Sequence, residues 1–325
     1  MLLAGSDDGV YRVETGTESV TPATKILDAE RVYRVRTFDG VDGAFAASDS
    51  GLYHTADGEE WARLGVPESA VYAVTADPSG TTLYAGTRPA RIYRADLTDG
   101  LPTGPEDWTE LAGFAELRER ADWGLPRHDG KAQVRSLQTH PDAPERLVAG
   151  LEVGGVFLSE DGGETWDERH ATDVDSEHPD DVHELVLGDR ETFVIATGDG
   201  LLYSDDAGQH WRRLDSGHSQ RYFRGALVRD GVVYAAGAHG PSPTWNENTD
   251  HAIFESRDGE TGETVPSPTP DELVIGWCVA DGDVYATTHR GSVLRRTGDG
   301  YTVVGSVPTP GQLRGRYLHV IAVEF

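Results

Sequence analysis

Short runs in which apolar and polar residues alternate recur along this chain, separated by Gly, Asp and Pro. Val71-Tyr72-Ala73-Val74-Thr75-Ala76 is followed by Leu83-Tyr84-Ala85-Gly86-Thr87 and then by the shorter Ile92-Tyr93-Arg94. β-Branched and aromatic runs bounded by turn residues are what strands and hairpins require. The pattern predicts a repeating unit of three clear strands and a weaker fourth. First strands are expected at 32–37, 71–76, 134–139, 182–187, 223–228, 275–280 and 318–323. Second strands are expected at 2–5, 44–47, 83–86, 147–150, 193–197, 232–237 and 284–288, so each set has seven members.

A single hairpin unit cannot bury its own faces, so neighbouring units must stack in a line or a ring. The order of the strands selects the ring. The chain enters on a second strand, Leu2-Leu3-Ala4-Gly5, and finishes on a first strand ending in Val320-Ile321-Ala322-Val323. Pairing those two strands hides edges that an open array would leave unpaired. The expected fold is therefore all-β: a single seven-bladed β-propeller over residues 1–325. Its C-terminal strand closes onto the N-terminal strand, with about 46 residues per blade.

Between third and fourth strands a phrase repeats, Ser-x-Asp-x-Gly-x-x-Trp. It reads Ser159-Glu160-Asp161-Gly162-Gly163-Glu164-Thr165-Trp166 and Ser204-Asp205-Asp206-Ala207-Gly208-Gln209-His210-Trp211. Thr55-Ala56-Asp57-Gly58-Glu59-Glu60-Trp61 is one residue shorter, and Ser256-Arg257-Asp258-Gly259 lacks the tryptophan. The acid can accept backbone N–H groups of its own turn, glycine supplies a positive φ, and tryptophan covers the gap to the neighbouring blade. Structural roles are thus expected for Asp57, Trp61, Ser159, Asp161, Gly163, Trp166, Ser204, Asp206, Gly208 and Trp211. Turn capping already explains the paired acids Glu160-Asp161 and Asp205-Asp206, so no general acid–base chemistry is assigned to them.

With these phrases the chain resembles the BNR or Asp-box repeat propellers. That family includes sialidases, xyloglucanase-type glycoside hydrolases, sortilin-like receptors, photosystem II assembly-factor-like proteins and WD40/YVTN/BNR-like repeat proteins. The resemblance covers nearly the whole chain and is most specific in blades four and five. It implies the fold and leaves the activity open.

Two insertions break the period. Residues 112–131 read as a short helix or lid around Phe114-Ala115-Glu116-Leu117-Arg118-Glu119-Arg120, and residues 239–251 expand a hairpin loop around Pro241, Pro243 and Trp245.

Charge narrows the partners. The chain carries 56 acidic and 28 basic residues, a net −28, and only Lys25 and Lys131 are lysines. Such self-repulsion opposes compaction in dilute buffer, but at molar salt the screening length falls to about 3 Å. In this the chain resembles halophilic proteins of haloarchaea, and a cytoplasmic location is expected. An anionic surface opposes nucleic acid and anionic membranes. One cysteine, Cys278, excludes an internal disulfide, and no apolar run reaches the length of a membrane-spanning helix. Neither nucleic-acid binding nor membrane insertion is expected.

If first strands line the central channel, their second residues should meet near one mouth: Tyr33, Tyr72, Arg135, His183, Arg224, Gly276 and His319. Arginine and histidine at a recurring inner position are unfavourable for packing alone, because a buried charge needs a partner or water. Loops joining second to third strands open on the same face and supply Asp7, Asp49, Arg88, Glu152, Asp199, His239, Trp245, His289 and Arg290. The candidate ligand-binding mouth thus comprises Tyr33, Tyr72, Arg135, Glu152, His183, Arg224, His239, Trp245, His289 and His319. Arginine would supply forked hydrogen bonds to a carboxylate, phosphate or sugar acid, and aromatics would stack. A water-filled channel satisfied by pairs such as Arg135 with Glu152 is the plain alternative.

No catalytic residue is assigned. No short His-x-His or Cys-x-x-Cys spacing supports a metal among His183, His239, His289 and His319, and neither metal nor cofactor is expected. A sialidase-like enzyme would carry six blades and an Arg-Ile-Pro motif, and a xyloglucanase-like one would pair two propellers. This sequence has neither. A lyase could use His183 with Glu184, or His319, as base. The preferred expectation is a non-catalytic ring that binds a small anionic or sugar-like ligand, or a protein or peptide partner, at the channel mouth. A glycoside hydrolase or lyase is the alternative, and a pure interaction scaffold using the two insertions is the third.

Overall fold

Seven antiparallel sheets follow one another along the chain in a computed structural model, which describes residues 1–14, 21–121, 123, 130–178, 180–247, 249–310 and 317–325. The innermost strands of blades two to seven are Val32–Phe38, Val71–Ala76, Gln133–His140, Val182–Leu187, Tyr222–Arg229 and Val274–Ala280. Blade one combines Leu2–Ser6, Gly9–Val13 and Thr24–Asp28 with an innermost strand from the other end of the chain, Val320–Ala322. That strand pairs antiparallel with the first, setting Leu2 opposite Ala322, Leu3 opposite Ile321 and Ala4 opposite Val320. It also lies between the inner strands of blades seven and two, so the ring is complete. The expected seven-bladed propeller and its closure are both present.

A second tie was not foreseen. Thr21–Pro22 adds in parallel to the outer strand of blade seven, Gly300–Ser306, with Thr21 opposite Gly305 and Pro22 opposite Ser306. Blade one is therefore joined to blade seven at the rim as well as at the hub.

Apolar residues of facing blades interdigitate into a chain of cores between neighbours, exemplified by Phe45, Leu52, Val74 and Leu83 between blades two and three. Sheets packed face to face require such alternate inward residues. The repeated turns brace them. Asp161 accepts hydrogen bonds from Thr165 N (2.9 Å) and Ser159 Oγ (2.8 Å), while Gly163 N donates to Ser159 Oγ (2.8 Å). The Thr165 bonds hold the Asp161 carboxyl at about 2. Asp206 repeats the scheme with His210 N and Ser204, and Gly208 N donates to Ser204 Oγ. In the shorter copy Asp57 accepts from Glu59 N and Glu60 N. Gly163 and Gly208 have φ of 95° and 78°, a region that disfavours side chains.

The tryptophans of these turns reach across to neighbouring elements. Trp211 Nε1 donates to Arg169 O at the end of blade four (3.2 Å), Trp61 packs on the core shared with blade one, and Trp166 meets Phe114 edge-on. Trp108, in a segment without the phrase, makes the same kind of bridge to Leu64 O of blade two at 2.7 Å.

The first insertion forms a helix, Ala112–Arg120, whose Phe114 and Leu117 are buried in the core of blades three and four. The helix is a wedge rather than a lid; residues 122 and 124–129 of that insertion lie outside the described residues. The second insertion holds a 3₁₀ turn, Ser242–Thr244, and its described part folds Trp245 inward; residue 248 lies outside the described residues.

Candidate functional site

Every inner strand from blade two to blade seven carries one residue too many near its start. In blade two Val32 faces Ser48 and Arg34 faces Ala47, leaving Tyr33 as the extra residue. Blades three, four, five and seven insert Tyr72, Arg135, His183 and Ile275 in the same way, and blade six sets Arg224 and Gly225 against one partner residue. A β-bulge bends its strand and re-aims a side chain. Here the repeated bulge brings equivalent side chains to one mouth of the channel.

The bulge also corrects one expected position. In blade seven the equivalent residue is Ile275, which lines the chamber, and Gly276 does not. A Cβ on Gly276 would stand 2.1 Å from Leu318 O, so glycine there admits the C-terminal segment. The strand begins at Val274, one residue before the expected start.

The chamber, open to solvent at the channel mouth, is lined by Tyr33, Arg34, Arg135, His183, Glu184, Arg224, Ile275, Tyr317, Leu318 and His319. Tyr33 and Tyr72 stack with centroids 3.8 Å apart and planes 15° apart, and Tyr317 meets Tyr33 edge-on at 4.7 Å. Burial raises the phenol pKa of Tyr33 and Tyr72, so both stay neutral. Tyr33 donates to Asp49 at 2.5 Å, which ties the inner strand to the loop expected on that face. The guanidiniums of Arg135 and Arg224 lie 4.7 and 4.6 Å from the Tyr317 ring centre.

The two arginines differ in their partners. Arg135 Nη1 donates to Glu152 Oε2 (2.7 Å) and to Tyr317 Oη (2.5 Å). Arg224 is 7% exposed, makes no ion pair with any described residue, and its Nη2 has no hydrogen-bond acceptor among them. Tyr317 and the Glu152 charge offset part of the cost of burying this guanidinium, and Nη2 is left unused.

Below this layer the axis is filled. Arg34 of blade two crosses the ring to pair with Glu184 of blade five, both almost fully buried. It also donates to Arg135 O (2.8 Å) and His183 O (3.3 Å), carbonyls of two bulge residues. Arg36 donates to His319 Nε2 (3.0 Å) and reaches Glu184 Oε1 at 3.4 Å. Burial, with Arg34 nearby, lowers Arg36 to about 10. The same desolvation, with Arg36 and Arg34 adding to it, holds His319 well below the usual histidine range. Glu184 is thus committed to two arginines, which argues against a role as a mobile base.

His183 sits between the layers. Its Nδ1 donates to Phe223 O at 2.6 Å, and its Nε2 faces Asp181 Oδ1 at 3.6 Å. Desolvation pushes the ring down to about 4 despite Asp181, so it is neutral near pH 7.

The structure therefore brings together Tyr33, Tyr72, Arg135, Glu152, His183, Arg224 and His319. Three other candidates lie elsewhere. Trp245 is fully buried in the core of blades six and seven, donating Nε1 to Gly240 O at 2.9 Å. His289 is equally buried, accepts Leu273 N at Nδ1 (2.9 Å) and packs edge-on to Trp245. His239 is exposed and pairs with Asp250 at 2.9 Å. The four histidines weighed for a metal do not converge. Arg34, Arg36 and Tyr317 were missed. Adjacent polar pairs such as Tyr33-Arg34 and His183-Glu184 break the period of two and were the available sign of a bulge.

No protein-family model matches the chain, and no curated protein sequence matches it. Similarity to solved structures is confined to the fold. A GH74 enzyme from Niastella koreensis superposes with a TM-score of 0.62 at 16% identity, covering 84% of this chain and 45% of that one. The WD40 β-propeller domain of Doa1 gives 0.59 at 14% identity, covering 96% and 86%. YCF48 bound to D1 peptide gives 0.55 at 14% identity, covering 84% and 81%. This chain spans less than half the length of the two GH74 structures it resembles. Among the described residues, no helix is long and apolar enough to cross a membrane.

Proposed function

We propose that the ring is a non-catalytic binding module that captures the anionic group of a ligand or peptide at its channel mouth. The observation that carries this reading is Arg224, a buried cation beside the Tyr33–Tyr72–Tyr317 cluster with no carboxylate partner among the described residues. A carboxylate on its fork would supply the missing charge, and the tyrosines would hold the adjoining apolar or sugar portion. Likeness to a peptide-bound propeller, YCF48, accords with this use of the fold. The Ser-x-Asp-x-Gly-x-x-Trp turns would place the chain among the BNR or Asp-box propellers, and the acidic surface suits a salt-loaded cytoplasm.

The test is a thermal-shift and calorimetric panel of citrate, glucuronate and short peptides with free or amidated C-termini. At least one anion should bind the wild type and lose tenfold or more in affinity with Arg224→Gln. If no member binds, or the variant binds equally well, the reading fails.

A further inference from the structure

Beside the arginines, a different set of groups converges. Glu152, Asp181 and His183 each present one oxygen or nitrogen within 4.8 Å of the others; Glu152 and His183 are buried, and the Asp181 side chain is 13% exposed. The first ends the second strand of blade four, and the other two flank the start of the inner strand of blade five.

His183 is the informative member. It is 1% exposed, and its Nδ1 proton is committed to Phe223 O, so Nε2 carries a lone pair. Among the described residues that lone pair has no hydrogen-bond donor, and it faces Asp181 Oδ1 across 3.6 Å. Two metal bonds of about 2.1 Å at a tetrahedral angle set their ligand atoms about 3.4 Å apart, close to that separation. The surroundings also match a metal's outer shell. A backbone carbonyl fixes the imidazole tautomer, and Gln133 Nε2 (2.6 Å) and Arg135 Nη1 (2.7 Å) orient the Glu152 carboxylate.

We infer that Glu152, Asp181 and His183 form a binding site for a divalent first-row transition ion, Zn²⁺ or Mn²⁺. One imidazole and two carboxylates suit either ion. The Arg135 guanidinium offsets one carboxylate, so the site is weaker than an uncompensated trio. Asp181 and His183 stand two apart in sequence, while Glu152 comes from the preceding blade, so the trio forms no contiguous motif. The anion reading concerns Arg224, which lines the same chamber as His183, and separate variants test the two.

The full chain, stripped with chelator, is titrated calorimetrically with Zn²⁺ and with Mn²⁺ alone, alongside Asp181→Asn and His183→Gln checked by circular dichroism. One ion should bind, and each variant should lose at least tenfold in affinity. With so many surface acids, binding that survives both substitutions places the ion elsewhere and overturns the site, as does no binding up to about 1 mM metal. Should the variants misfold, pulsed electron paramagnetic resonance on Mn²⁺-loaded wild type decides. Coupling to one histidine nitrogen is expected, and its absence rejects the site.

Discussion

Arg34 and Glu184, 150 residues apart in sequence, meet on the ring axis and make a buried ion pair between blades two and five. The same guanidinium takes the carbonyls of Arg135 and His183, so one side chain from blade two reaches two other blades. Removing one partner of a buried pair strands the other charge at a cost of about 3 to 5 kcal/mol. Glu184→Ala should therefore destabilise strongly in urea unfolding. The double variant Arg34→Met/Glu184→Leu should cost less than the sum of the two single changes.

His319 gives the acid limb of stability a defined sign. Its folded pKa is depressed by burial, with Arg36 and Arg34 contributing, so the unfolded chain takes up this proton first. The His319 contribution is present above about pH 6.5 and is lost progressively as the pH falls below it. Melting temperature followed from pH 7.5 to 5 should fall less steeply in His319→Gln than in wild type.

The repeated turns carry stability without binding. Asp161→Ala deletes the cap on Thr165 and Ser159 and should cost about 1 kcal/mol, as loss of an exposed capping carboxylate does. Ligand affinity should not change in the same variant. A drop in affinity with the fold intact would give these acids a role that the geometry does not.

Salt should act on the whole surface. With a net charge of −28, raising KCl from about 0.1 to 2 M collapses the screening length and should raise the melting temperature. Exchanging several exposed acids of blades five and six for glutamine should flatten that dependence in calorimetry.

The ring itself was legible because seven paired runs of strand-forming residues and a tail matching the missing inner strand permit one closed arrangement. The chamber was legible in part. Tyr33, Tyr72, Arg135, His183 and Arg224 occupy equivalent positions after the first apolar residue of each inner strand, and the structure brings them together. Alternation could not show that each strand is bulged there, so Arg34 and Glu184, the next residues, went unread and Gly276 was taken for Ile275. Trp245 and His289 resembled ligand contacts because loop residues of those types often are. Trp245 instead donates Nε1 to Gly240 O, His289 accepts Leu273 N at Nδ1, and both side chains seal a core. Tyr317 lies before the final strand, where no repeat pattern reaches.

The paired seams of blade one have a mechanical meaning. The N-terminal strands reach their neighbours through Val320–Ala322 on the inside and through Thr21–Pro22 on blade seven at the outside. A propeller buttoned once can spring open where head and tail meet, but here both buttons must slip together. Under load or heat, the first gap should open at another joint.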